Sequence, residues 1–190
     1  MGYALAEAAL EAGHQVTLIS GPVALPPPPQ ARLIKIITSD DLHEAVQAQA
    51  TECDVLVMCA AVSDYKPVHA ATQKLAKQRG EFALQLIPTR DILASLPRAP
   101  RSYLVVGFAA ETHELAAHAR AKLFAKNCDL IIANDVSEDE VGMESEENEV
   151  TIFFRDGAEE QIARAPKTII ARKIMKIVFA LREKSLTKKS

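Results

Sequence analysis

Apolar positions along this chain follow two rhythms. In some stretches they recur every third or fourth residue; in others they crowd into short runs rich in valine, isoleucine and leucine. Residues 2–12 (GYALAEAALEA) are helix formers, and Gly13 is a helix stop. QVTLIS (15–20) and LIKII (33–37) read as strands, separated by a segment with four consecutive prolines, Pro26 to Pro29, that neither a sheet interior nor a helix accepts. Ser39, Asp40 and Asp41 then offer an amino-terminal cap for a helix over 42–49. DVLVMCAAV (54–62) is apolar almost throughout, as a strand buried on both faces must be.

The alternation resumes after a polar stretch. FALQLI (82–87) predicts a half-exposed strand and 91–96 a short helix. YLVVGFAAE (103–111) is another buried strand, followed by a helix over 114–126 and a strand at CDLIIAND (128–135). Residues 150–154 and 161–163 flank Asp156-Gly157, a hairpin turn signal. A last helix covers 168–182, with Ile169, Ile170, Ile174, Ile177, Val178 and Leu181 at helical spacing. The acidic, apolar-poor stretch 137–149 (SEDEVGMESEENE) reads as a mobile surface loop.

Alternating strands and helices define an α/β, Rossmann-like fold: a mostly parallel sheet, helices on both faces, and a C-terminal antiparallel hairpin. Its 190 residues fit a single domain, 1–190. The first element is a helix rather than a strand with a glycine-rich turn, so the front of the domain is expected to be missing. In such sheets ligands bind beyond the carboxyl ends of the strands. That singles out residues 60–66, 107–112 and 133–137.

Composition narrows the partners. A formal net charge of -3 provides no broad basic field, so nucleic acid is not expected. No apolar stretch reaches the roughly 20 residues that span a bilayer, and no basic leader precedes the first apolar segment. No membrane association is expected, and the localisation reads as cytoplasmic. Cys53, Cys59 and Cys128 match neither a zinc site nor a disulfide framework and read as buried, reduced thiols. Lys184, Lys188 and Lys189 read as a solvated, frayed tail.

Several residues have the chemistry of a nucleotide site. Asp64, after the strand in AAVSDYK, is placed to bond a ribose or a magnesium ion, or simply to cap a turn. Lys74 and Lys77 have the charge to offset a phosphate, or are merely solvated. Lys122 and Lys126 lie four apart on one predicted helix, a spacing that suits a triphosphate, although a lysine near a helix C-terminus is favourable for dipole reasons alone. Phe108 is either a base-stacking ring or a core aromatic, and Asn134 and Asp135 end the next strand. The five histidines are scattered, with only His113 and His118 close enough to share a face, and read as surface residues. The metal-ligating residues stay unassigned, and there is no P-loop, G-x-S-x-G or C-x-x-C.

In order and spacing, the segments MGYALAEAALEAGHQVTLISGPVALPPP, CAAVSDYKP, QKLAK, VVGFAAET, AKLFAKN and DLIIANDVS resemble the phosphopantothenate–cysteine ligase family across nearly the whole chain. The resemblance implies a ligase of coenzyme A biosynthesis. With CTP and Mg2+, it activates the carboxylate of 4'-phosphopantothenate to an acyl-cytidylate, then couples it to L-cysteine with release of CMP and pyrophosphate. It also implies site residues. Lys74 matches the catalytic lysine, important for turnover of the intermediate. Met58, Cys59 and Ala60, with Asp64 beyond, match the nucleotide-contacting strand end. Arg90, Asp91, Ile92 and Leu93 match the loop enclosing CTP. Phe108 matches a nucleotide-site aromatic, Lys122 and Lys126 the phosphate-binding pair, and Asn134 and Asp135 a motif on the substrate side. Together these residues are expected at one edge of one sheet.

Further expectations follow from the resemblance. A homodimer would pair an extended segment after the catalytic lysine, here 82–87, across subunits. A flavin-dependent decarboxylase domain often precedes this one in the full-length protein; it is not in this chain, so no FMN is expected here. Two departures alter the site: Ala76 replaces a usual lysine, and Thr89-Arg90 replaces a usual Asn-Pro. The family's asparagine- and glycine-bearing loop, ending in a Lys-Met-Gly run, would come just before Gly2, so CTP binding without full ligation is expected. The alternatives are an NAD(P)-dependent Rossmann-type oxidoreductase, for which no G-x-G-x-x-G is present, and a CTP-binding dimerisation module without full turnover.

Overall fold

The computed structural model describes residues 1–71, 73–77, 80–98, 101–111, 114–135 and 146–187. In chain order it contains α1 (Gly2–Glu11), β1 (Thr17–Ser20), β2 (Arg32–Lys35), α2 (Ser39–Gln49), β3 (Val55–Met58), β4 (Tyr65–Pro67) and β5 (Leu86–Pro88). β6 (Leu104–Glu111), α3 (Leu115–Ala125), β7 (Leu130–Asp135), β8 (Glu147–Phe154), β9 (Glu159–Pro166) and α4 (Lys167–Thr187) follow.

The central sheet has five strands in the order β3-β6-β7-β8-β9. β3, β6 and β7 are parallel, and β8 and β9 add an antiparallel hairpin. β1 and β2 form a separate parallel pair, and β4 and β5 a separate antiparallel one. The expected architecture is therefore present, with its parallel strands split between two sheets.

Successive residues of a strand face opposite sides, and this alternation divides the core in two. Val106, Leu130, Ile132, Val150, Ile152 and Ile162 pack under α1 and α4. Val105, Ala109, Ile131, Ala133 and Phe153 pack under α2 and α3. Each large side chain so buried contributes roughly 1.5–3 kcal/mol.

Helix ends follow local chemistry. After α1, Gly13 takes φ +85, the Gly13 amide bonds Leu10 and the His14 amide bonds Ala9, which satisfies the last carbonyls. α3 ends the same way with Asn127 at φ 52: its amide bonds Phe124, and the Cys128 amide bonds Leu123. At the start of α2 the cap is Thr38, one residue before the expected cluster. Its hydroxyl accepts from the Asp41 amide, and the Asp41 carboxylate accepts from the Thr38 amide. Asp40 is thereby left out of the cap.

Other expectations need correction. Residues 91–96 form a turn rather than a helix, because one bond from the Ser95 amide to the Asp91 carbonyl is not continued. The strand expected at 82–87 shrinks to Leu86–Pro88, fully exposed on its own small arm. Glu147–Glu149 belong to β8 rather than a loop, while 137–145 lie outside the described residues. Lys184 is part of α4 rather than a frayed tail, and Lys188 and Lys189 lie outside the described residues. Cys128 is buried, whereas Cys53 and Cys59 are only half-buried. Among the described residues no helix is long and apolar enough to cross a membrane.

Candidate functional site

The site is organised by the connection between β3 and β6. β3 stops at Met58, level with Gly107 of β6, which in turn pairs with Ile131 of β7. The chain then runs out through Asp64 into the β4–β5 arm and returns at Thr89. Two bonds close the root of this arm: the Thr89 amide donates to the Asp64 carbonyl at 2.9 Å, and the Thr89 hydroxyl to the Ser63 carbonyl at 2.6 Å. Asp64 and Arg90–Asp91, far apart in sequence, are thus brought to the same root.

From there the turn at 91–96 descends onto the sheet. Ile92 is buried, and Leu93 packs over β6 beside Cys128 and Ile131. Gly107 makes this possible. A Cβ at Gly107 would meet Ile131 Cδ1 at 2.7 Å, Cys128 Sγ at 3.1 Å and Leu93 Cδ1 at 3.5 Å. A side chain at this position would have to displace Ile131 and crowd Cys128 beneath the turn, while Leu93 would remain at ordinary contact distance. Ile92 and Leu93 are therefore anchors, and their backbone is what they can offer a ligand.

Asp91, just before these anchors, forms an ion pair with Lys126 at the end of α3. Burial pushes the Asp91 carboxyl up, but hydrogen bonds from Lys126 and the Ala94 amide outweigh it and hold it below the usual range. Lys122 lies one turn before Lys126 on the same helix. The Asn127 stop described above fixes where α3 ends, and so where the Lys126 ammonium starts.

The expected single cluster divides. Met58, Asp91–Leu93 and α3 with Lys122 and Lys126 belong to the α2/α3 side of the sheet. Cys59 and Phe108 pack on the α1/α4 side, beside the amino-terminal end of α1. Burial is the main cause raising the Cys59 thiol above its ordinary pKa, which keeps it protonated and poorly nucleophilic at neutral pH. Burial, with the nearby Asp129 charge, pushes Cys128 up to about 12. Ala60, Asp64, Arg90 and Lys74 are exposed, and Asn134 is half-buried in β7. Asp135 is described only by its backbone pairing with Glu111. His118 sits near Glu114 at 3.9 Å, and His113 lies outside the described residues.

The sequence placed Lys66 and Gly107 within strand-end segments and Thr89 in the altered loop without giving them roles, and it had not singled out Asp40 as a site element. Lys66 on β4 forms an ion pair with Asp40 on α2. The only available signal was the cap pattern that made Asp40 redundant. Among the described residues no group of three or more His, Cys, Asp or Glu side chains forms a metal cage.

A parallel α/β core of this kind defines a class of proteins that take their ligands at the carboxyl ends of the strands. The chain belongs to the DNA/pantothenate metabolism flavoprotein C-terminal domain family, whose model matches residues 1–181. It is 42% identical over 182 residues to the coenzyme A biosynthesis bifunctional protein CoaBC of Bacillus subtilis, covering 95% of this chain and 45% of that protein. The chain thus spans just under half the length of that relative. The crystal structure of the C-terminal domain of a CoaBC protein superposes with a TM-score of 0.78 at 34% identity, over 95% of this chain and 82% of that one. A Cab2 mutant in complex with phosphopantothenate-cysteine shares the fold, with a TM-score of 0.62 at 18% identity, over 84% of this chain and 55% of that one.

Proposed function

We propose that this chain is the phosphopantothenate–cysteine ligase part of a coenzyme A biosynthesis protein, and that CTP is its activating nucleotide. The observation that carries the proposal is the Asp91–Lys126 pair. One of the two lysines assigned to phosphate already holds an anionic oxygen, with over a third of its side chain exposed. It stands next to the turn assigned to CTP. Family membership and the ligand of the Cab2 structure support the choice of substrate.

In this reading a carboxylate oxygen of 4'-phosphopantothenate attacks the α-phosphorus of magnesium-bound CTP. The bond to the β-phosphate breaks and pyrophosphate leaves. The cysteine amine then attacks the carbonyl carbon, loses a proton, and expels CMP with the former carboxylate oxygen. Lys122 and Lys126 hold the triphosphate, and Asp64 the ribose. The backbone of residues 90–93 encloses the nucleotide, and the end of β7 at Asn134 and Asp135 lies on the side of the second substrate. Lys74 neutralises charge as the intermediate turns over. Positioning and charge neutralisation supply most of the rate.

The reading includes a homodimer built on the β4–β5 arm. Tyr65, Phe82, Leu84 and Leu86 are each more than half exposed there, a larger apolar display than a monomer needs. Light scattering is expected to give a dimer, and a monomer at micromolar concentration counts against this part.

The activity is tested by pyrophosphate release with magnesium, comparing CTP with ATP and with or without 4'-phosphopantothenate. Release that requires the pantothenate substrate and favours CTP is expected. CTP binding without release would reduce the chain to a nucleotide-binding module, and turnover of NADPH instead would replace the reading altogether.

A further inference from the structure

We propose that Asp40 is a positioning residue for the nucleotide edge: through Lys66 it ties the root of the β4–β5 arm, and with it Asp64 and Asp91, to α2. The functional half of this inference rests on the ligase reading.

Asp40 is the second residue of α2, at the helix end that follows the carboxyl end of β2. Thr38 and Asp41 satisfy the cap between them, so the Asp40 carboxylate is free to look outward. Lys66, on β4, bonds its Oδ2 and ties it to the arm. The positive charge of Arg90, two residues past β5, favours the same anion. The Lys66 hydrogen bond is the main cause lowering the Asp40 carboxyl, with Arg90 adding to it, so the anion persists through the neutral range.

The leverage comes from the root of the arm. Lys66 lies two residues after Asp64 and pairs with Ile87 across the ribbon, and Arg90 immediately precedes Asp91. Thr89 bonds back to Ser63 and Asp64, and the Ser63 hydroxyl donates to the Tyr65 carbonyl at 2.9 Å. The arm buries little of itself: Tyr65, Leu86 and Ile87 are exposed. With so little apolar burial, an ion pair that adds almost nothing to global stability can still decide where the root sits. A two-residue tie between Asp40 and the arm therefore sets the direction of Asp64 and Asp91 together.

The test uses Asp40→Asn, Asp40→Glu, Lys66→Met and the Asp40→Asn/Lys66→Met double variant. Two readouts are followed: amide hydrogen exchange at residues 63–68 and 86–91, and the KM and kcat for the nucleotide. Asp40→Asn is expected to speed exchange across both segments and to raise KM on the order of 10-fold, short of the 10²-fold cost of a full 1 Å misplacement, with kcat little changed. Asp40→Glu is expected to restore both, and the double variant to be no worse than either single one. Unchanged exchange, additive effects, or faster exchange with KM unmoved would each overturn the proposal. If the parent protein neither binds nor turns over CTP, the ligase reading fails. Hydrogen exchange still decides whether Asp40 roots the arm.

Discussion

Replacing Lys74 by glutamine is expected to lower steady-state amide formation by about 10²–10³-fold, the cost of removing one preorganised group that meets developing charge. CTP binding and folding should survive. Lys74 is exposed, so its ammonium has water in the resting protein and little to contribute to stability. Its effect is confined to states in which substrate phosphate has displaced that water. A pre-steady-state assay separates the steps. A burst of pyrophosphate followed by slow CMP release places Lys74 at turnover of the intermediate, whereas loss of the burst places it at activation. Less than a threefold change in either would remove Lys74 from the chemistry.

The largest structural effect is expected at Asp129→Ala, a loss of about 1–3 kcal/mol, the usual cost of leaving buried hydrogen-bonding groups without their partner. One Asp129 oxygen accepts both from Arg101 Nη2 at 2.5 Å and from the Val105 amide at 2.8 Å. The Asp129 amide in turn donates to the Val105 carbonyl at 2.8 Å. Asp129 thus fixes where β6 and β7 begin to pair. The Arg101 side chain is only 5% exposed. The same guanidinium donates to the Asn127 carbonyl at 2.9 Å and lies 5.7 Å from the centre of the Tyr103 ring. For a chain of this size the midpoint should fall by roughly 2–12 °C. Thermal and urea unfolding of the two proteins check this, and a shift below about 1 kcal/mol would contradict the assigned role.

The core strands and the long helices were legible because their patterns leave no choice. VVGFAA and LIIAN are too continuously apolar to be anything but doubly covered strands, and Asp156-Gly157 makes the hairpin turn, with Gly157 at φ +93. β8 was read too short because its first residues, Glu147 to Glu149, are all polar, although Asn148 is buried. β9 was harder still, since only Ile162 along it is buried. The short helix failed at 91–96 because its apolar residues serve a turn pressed onto Gly107.

The site was legible as an inventory more than as an arrangement. Consecutive residues such as Met58 and Cys59, or Gly107 and Phe108, point to opposite faces of a strand. A list ordered by sequence therefore hides that the expected cluster splits between two faces. The ties that arrange the rest are Thr89 to Asp64, Lys66 to Asp40 and Lys126 to Asp91. They join residues far apart in sequence, and no local pattern announces them.

The central claim is that the substrate carboxylate is activated at the α-phosphorus. The most direct measurement follows an 18O label placed in the carboxylate of 4'-phosphopantothenate through coupling with cysteine in the presence of CTP. The account predicts one labelled oxygen in the CMP released and none in pyrophosphate. Label in inorganic phosphate with CDP as co-product would mean attack at the γ-phosphorus, and unlabelled CMP would mean that no acyl-cytidylate forms.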